Sequence, residues 1–205
     1  MATITAKDVQ RLRQQAGVGM MDAKKALDDA DGDFEKAVEL LRERGLAKAS
    51  KRSDRDANEG TIGIYVHHQN GHPVMGVVVE LACETDFVAK SPEFNDVAND
   101  IAMHISWANP TWVNTEVVDE AALAKERELI EREARAAGRP DAAIPKIVEG
   151  RIAKYIEDNV LTEQPFVNKE KYEGTVGTLV GQLASKMGEN IYVRRFSRVL
   201  VGEQA

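Results

Sequence analysis

The 205-residue chain has a single cysteine, Cys83, so no disulfide can form within it and nothing in its thiol usage calls for an oxidising compartment. Cys83 reads as a small buried apolar residue. No run of about 18 apolar residues occurs, so no helix is expected to span a membrane. The opening Met1-Ala2-Thr3-Ile4-Thr5-Ala6-Lys7-Asp8 holds no apolar signal-peptide core. These absences predict a soluble, cytoplasmic protein. Basic excess is missing too. A formal net charge of −7 argues against specific nucleic-acid binding, which needs a concentrated basic footprint. One local exception, Arg42 to Arg55 with Arg44, Lys48, Lys51 and Arg52, reads as a solvated helix end and linker, with contact to RNA phosphate as the alternative.

Catalytic signatures are equally scarce. No GxxxxGK[ST] loop, GxGxxG unit, GxSxG elbow or CxxC pair occurs. His67, His68 and His72 sit beside a hairpin turn, but adjacent strand residues point to opposite faces and no cysteine completes a metal set. They read as surface histidines. No carboxylates stand out as an acid–base pair. Neither catalytic residues nor a metal nor a cofactor is expected. The chain reads as one that works by docking on another protein.

What is present begins with three short helices. Thr5 and Asp8 form a capping-box pattern, and Val9, Leu12 and Ala16 recur on one helical face. Gly17-Val18-Gly19 breaks the chain before a helix with Ala23, Ala26, Leu27 and Ala30 inward. Asp31-Gly32-Asp33 stops that helix and caps the next, whose inner face is Phe34, Ala37, Val38 and Leu41, ending at Gly45. Residues 1–45 therefore form a recognition-sized module, 46–59 a linker or an extended helical arm, and 60–205 an α+β core.

In the core, Ile62, Ile64 and Val66 alternate, Asn70-Gly71 signals a hairpin, and Met75, Val77, Val79, Leu81 and Cys83 share one face of the return strand. One sheet face should be covered and the other at least partly wet. Helices follow: one from Ser91-Pro92-Glu93, with Val97, Ile101, His104 and Ala108 on one face; a charged one near 119–137; one near 142–158; and one near 176–187. A last strand, 191–201, is expected to complete a three-stranded antiparallel sheet packed against the helices.

Three places suggest contacts. Met20 and Met21 follow the glycine break, and neighbours about 100° apart cannot easily share one small core. Either one is presented outward as an adaptable contact residue, or both cover the bundle. In Cys83-Glu84-Thr85-Asp86-Phe87-Val88 a buried strand runs out. Pattern alone makes Phe87 a core residue; the alternative is an anchor pushed into a partner. His104 is by default a packed, hydrogen-bonded histidine, with a partner contact as the other option.

At these residues the chain resembles the elongation factor Ts family. The resemblance rests on Leu12-Arg13, the run Gly17-Val18-Gly19-Met20-Met21-Asp22-Ala23-Lys24-Lys25-Ala26-Leu27, and Glu84-Thr85-Asp86-Phe87-Val88-Ala89-Lys90. Ile101-Ala102-Met103-His104-Ile105, Glu149-Gly150-Arg151 and Leu161-Thr162-Glu163-Gln164-Pro165-Phe166-Val167 extend it over essentially the whole chain. It implies an N-terminal bundle like ubiquitin-associated domains, an α+β core and the activity of a guanine-nucleotide exchange factor. The implied partner is elongation factor Tu, GDP-bound or nucleotide-free. Arg13, Met20 and Met21 match positions that grip a helix of the GTPase, and His104 a further contact. Thr85, Asp86, Phe87 and Val88 match the motif that intrudes near its magnesium site. The chain resembles the short form, with one core unit where longer members have two, and a homodimer through that core is expected. A rival class is a simple adaptor, in which the helical module binds a peptide or ubiquitin-like partner and the rest is scaffold; it leaves Thr85–Val88 unexplained. An enzyme ranks third.

Overall fold

The computed structural model describes residues 4–16, 18–50, 52 and 54–203. Met1–Thr3, Gly17 and Lys51, which the sequence reading used, lie outside the described residues. The fold is α+β, with helices α1 Ala6–Ala16, α2 Met20–Asp29, α3 Phe34–Ser50, α4 Asp86–Ala89, α5 Pro92–Ala108, α6 Glu120–Ala136, α7 Ile144–Asn159 and α8 Val176–Met187. Strands β1 Glu59–Gln69, β2 His72–Cys83 and β3 Tyr192–Leu200 form one antiparallel sheet in the order β1-β2-β3.

The chain divides into two compact units. The first holds the chain up to Thr61, Leu81–Asn95 and Leu179–Tyr192; the second holds Ile62–Glu80, Asp96–Thr178 and the chain from Val193.

In the first unit, α1–α3 close around Val9, Leu12, Ala23, Ala26, Leu27, Ala30, Ala37 and Leu41. The local signals act as expected. Asp8 Oδ2 accepts from the Thr5 N–H at 3.0 Å, while Thr5 Oγ1 accepts from the Asp8 N–H at 3.3 Å, so two orphan donors at the head of α1 are satisfied reciprocally. Gly32 takes φ 83° at the end of α2, and Asp33 caps α3 by accepting from Lys36 N–H at 3.1 Å. Gly45 is a correction. It does not end the helix, because α3 continues to Ser50 through Leu46, Ala47, Lys48 and Ala49, all but Lys48 apolar or small and all compatible with a helix.

In the second unit, Asn70 and Gly71 both take positive φ, 50° and 82°, the geometry of a tight two-residue hairpin turn. Val77 and Val79 of β2 are buried, whereas Ile62, Ile64 and Val66 of β1 are exposed. Those three alternate residues therefore lie on the wet face, and Gly63 on the covered one. A Cβ at Gly63 would sit 2.2 Å from the carbonyl oxygen of Ala98, so only glycine lets β1 approach the backbone of α5 this closely. Pro92 opens α5, and Asn109 at φ 45° ends it before Pro110. The charged helix α6 is capped by Asp119, which accepts from Ala121 N–H, and packs against α7, where Arg151 bonds Glu133 at 2.6 Å. No helix among the described residues is long and apolar enough to cross a membrane.

Candidate functional site

The Thr85–Val88 segment leaves the sheet as a one-turn helix. Strand β2 buries Val77, Val79, Leu81 and Cys83 at every second position. The alternation ends at Leu81–Cys83, where Ala82 is buried too, and the strand gives way to a helical turn after Thr85. Thr85 caps α4, its hydroxyl oxygen accepting from Val88 N–H at 3.4 Å. In the helical turn the inward position passes to Val88, which is 8 % exposed. Phe87 is thrown outward and is 86 % exposed. The reading of Phe87 as core is overturned, because the chain turns from strand to helix after Thr85 and the helical turn directs Val88 inward in its place.

Asp86 is exposed beside Phe87, and Lys90 bonds it at 2.6 Å, one turn later. That hydrogen bond and its charge hold the Asp86 carboxyl below its ordinary range and raise Lys90. The tip thus presents an aromatic ring flanked by an ionised, paired carboxylate.

Residues 84–85 are held by groups the sequence reading missed. The Glu189 carboxylate accepts three hydrogen bonds: Glu84 N–H at 3.0 Å, Thr85 N–H at 3.1 Å and the Thr85 hydroxyl at 2.6 Å. Conversely the Glu84 carboxylate accepts from Asn190 N–H at 2.6 Å and from Arg55 at 3.4 Å, while the Asn190 amide donates to the Arg55 carbonyl at 2.8 Å. Cys83, buried, donates to the Thr85 carbonyl at 3.2 Å, and burial first, then Glu189, pushes its thiol up to about 11. It is an inert prop. Nothing local in the sequence announces that Glu189 pairs with the strand exit.

In the same unit the helical module carries Arg13, Met20 and Met21, the other residues that the resemblance marks. Arg13 is exposed in the last turn of α1. Met20 is 51 % and Met21 75 % exposed, so both, and not one, face outward. At 100° per residue Met21 lies nearly opposite the Ala23–Ala26–Leu27 face, and Met20 about 70° from its centre. Arg11 stacks on the Phe34 ring at 4.5 Å, and Arg44 pairs with Asp29.

In the second unit His104 is packed: it is 1 % exposed. Its Nδ1 accepts from Val167 N–H at 3.2 Å, so the proton sits on Nε2 and is donated to Gln164 Oε1 at 3.0 Å. Burial lowers its pKa, and the Gln164 bond opposes this in part. Gln164 donates in turn to the carbonyls of Asp158 at 2.7 Å and Ala108 at 3.4 Å, and Phe166 stacks on the imidazole at 5.7 Å. His104 is thus held inside the unit, where it fixes the 164–167 segment. Among the described residues no group of three His, Cys, Asp or Glu side chains is arranged to hold a metal.

Comparison with known proteins bears on the whole chain. A family model described as Elongation factor TS matches residues 6–203. The chain is 46 % identical over 201 residues to the elongation factor Ts of Syntrophus aciditrophicus (strain SB), covering 98 % of each. It is 47 % identical over 205 residues to that of Solidesulfovibrio magneticus (strain ATCC 700980 / DSM 13731 / RS-1), covering 100 % of each. With that of Alkaliphilus oremlandii (strain OhILAs) the identity is 48 % over 200 residues, 98 % of this chain and 90 % of the relative. With a matching family model and relatives of this identity along its whole length, the chain belongs to the elongation factor Ts family.

Proposed function

We propose that this protein is a cytoplasmic translation factor that binds elongation factor Tu·GDP, promotes GDP release by displacing the bound magnesium ion, and stabilises the nucleotide-free state. The observation that carries the reading is Phe87. A large apolar side chain, 86 % exposed on a tip anchored from below by buried Val88, is costly to leave in water unless a partner covers it.

The mechanism is a linkage. A GTPase holds GDP largely through its phosphates and a magnesium ion. A factor that binds the empty state more tightly than the GDP state is weakened by nucleotide in the same ratio. A ~10⁴-fold ratio requires about 5.5 kcal/mol of differential binding. Phe87 acts as the wedge. Asp86, whose carboxylate stays ionised beside Lys90, adds negative charge that disfavours the magnesium-bound arrangement. Arg13, Met20 and Met21 supply the grip, and His104 contributes through the segment it holds. No bond is made or broken in this chain.

The division of labour follows the N-terminal module as grip, with α3 carrying it on to Ser50, a linker from there to 59, and 60–205 as core. A homodimer through the core is part of the proposal. The exposed strand residues Ile62, Ile64 and Val66 support it, since a second copy would bury them.

Release of labelled GDP from elongation factor Tu tests the reading. Substoichiometric protein should speed release without being consumed; unchanged dissociation at saturation would leave the adaptor reading in its place.

A further inference from the structure

We propose that Glu189 is a positioning residue for nucleotide exchange: it sets the angle at which Phe87 is presented, although it touches no part of a partner. The inference rests on the exchange reading above and extends it to a residue outside the Thr85–Val88 motif.

The geometry is specific. Residues 84 and 85 lie between the end of β2 and the start of α4, so neither N–H is used by a strand or a helix. One carboxylate takes both, at 3.0 and 3.1 Å, and its other oxygen takes the Thr85 hydroxyl at 2.6 Å. Fixing the Thr85 hydroxyl in this direction leaves its oxygen facing Val88 N–H, which is the cap of α4. The carboxylate therefore decides where the strand stops and the helical turn begins. That switch is what sends Val88 inward and Phe87 out.

The contact is reciprocal. Glu84 returns the bond by accepting from Asn190 N–H at 2.6 Å, so each carboxylate binds the backbone beside the other. A four-residue helix has too few internal hydrogen bonds to hold itself, and this clasp supplies what it lacks. Charged acceptors on backbone N–H groups are among the stronger hydrogen bonds, which suits them to fixing an angle.

The test uses the full chain, elongation factor Tu and labelled GDP. Glu189→Ala should lower the maximal release rate about tenfold while the half-saturating concentration changes less than about twofold, since the grip residues are untouched. Glu189→Gln keeps an oxygen for the two N–H groups and should recover most of the rate. Hydrogen exchange on the same variants supplies a readout independent of activity. Amides of residues 84–90 should be protected in the wild type and lose protection in Glu189→Ala, while those of α1–α3 stay unchanged. A full maximal rate in Glu189→Ala, or unaltered protection at 84–90, overturns the positioning role. A fall in rate that Glu189→Gln does not recover, together with loss of protection throughout the chain, also overturns it, because that is the signature of general unfolding. If wild-type protein leaves GDP release unchanged, the exchange reading fails by itself, and protection at 84–90 still decides whether Glu189 sets the tip.

Discussion

Thr85 and Glu189 meet across 104 positions of sequence, hydroxyl to carboxylate at 2.6 Å. The bond joins the exit of β2 to the turn after α8, and the exposed aromatic follows two residues later. An outward Phe87 is thus the result of a cap and a buried Val88 pulling the backbone, not of a side chain that failed to find a core.

That arrangement separates folding from function at Phe87. A buried phenylalanine cut to alanine costs about 3–5 kcal/mol. At 86 % exposure there is little burial to lose, so Phe87→Ala should melt within a few degrees of wild type. It should release GDP at least about tenfold more slowly, a loss of about 1.4 kcal/mol in the exchange transition state. Thermal melting and GDP release on the same preparation check both halves. Asp86→Ala should act in the same direction but less, because an exposed carboxylate is screened.

The same segment marks where sequence reading stopped working. Thr5–Asp8, Asp33, Asn70-Gly71 and Pro92 were legible because each acts on backbone within a few residues of itself. The three-stranded sheet was legible from period and turn. Phe87 was misread because the period changes from two to 3.6 at Thr85, and nothing local marks that point except a threonine that also suits a strand. Glu189 was invisible because its partners lie over a hundred residues away. The resemblance, not the pattern, pointed to the outward Phe87.

Met20 and Met21 should affect affinity, not the limiting rate. Neither fills the bundle, so Met20→Ala with Met21→Ala should leave the melting temperature within a few degrees of wild type. In GDP-release titrations the half-saturating concentration should rise about tenfold, with the plateau rate kept. A lowered plateau at unchanged half-saturation would place these residues in the exchange step instead.

Gly63 gives a stability prediction independent of function. A methyl group there would lie 2.2 Å from Ala98 O and 2.3 Å from Ala98 C, backbone atoms of α5 that cannot turn aside. Strand and helix must separate, at the upper end of overpacking costs, about 3 kcal/mol. For a chain of this size that lowers the melting temperature by about 6–12 °C. Gly76→Ala, on the neighbouring strand with nothing within 4 Å, is the control and should melt near wild type.

His104 should make stability depend on pH in the mildly acidic range. The unfolded imidazole takes up a proton as pH falls through its ordinary value of 6.5, whereas burial holds the folded one neutral to lower pH. With its pKa depressed in the folded state, the group gives its full contribution above 6.5. That contribution is lost as pH falls toward the folded value, where the loss levels off. The slope for one proton is at most about 1.4 kcal/mol per pH unit. Protonation would also place a donor on Nδ1 against Val167 N–H, so the acidic form loses that bond as well as the solvation of its charge. Urea unfolding between pH 7.5 and 5 should show the decline. His104→Gln, whatever its stability at pH 7.5, should lose the part of the slope centred below 6.5. An unchanged slope in that variant would mean that the pH dependence arises at another residue.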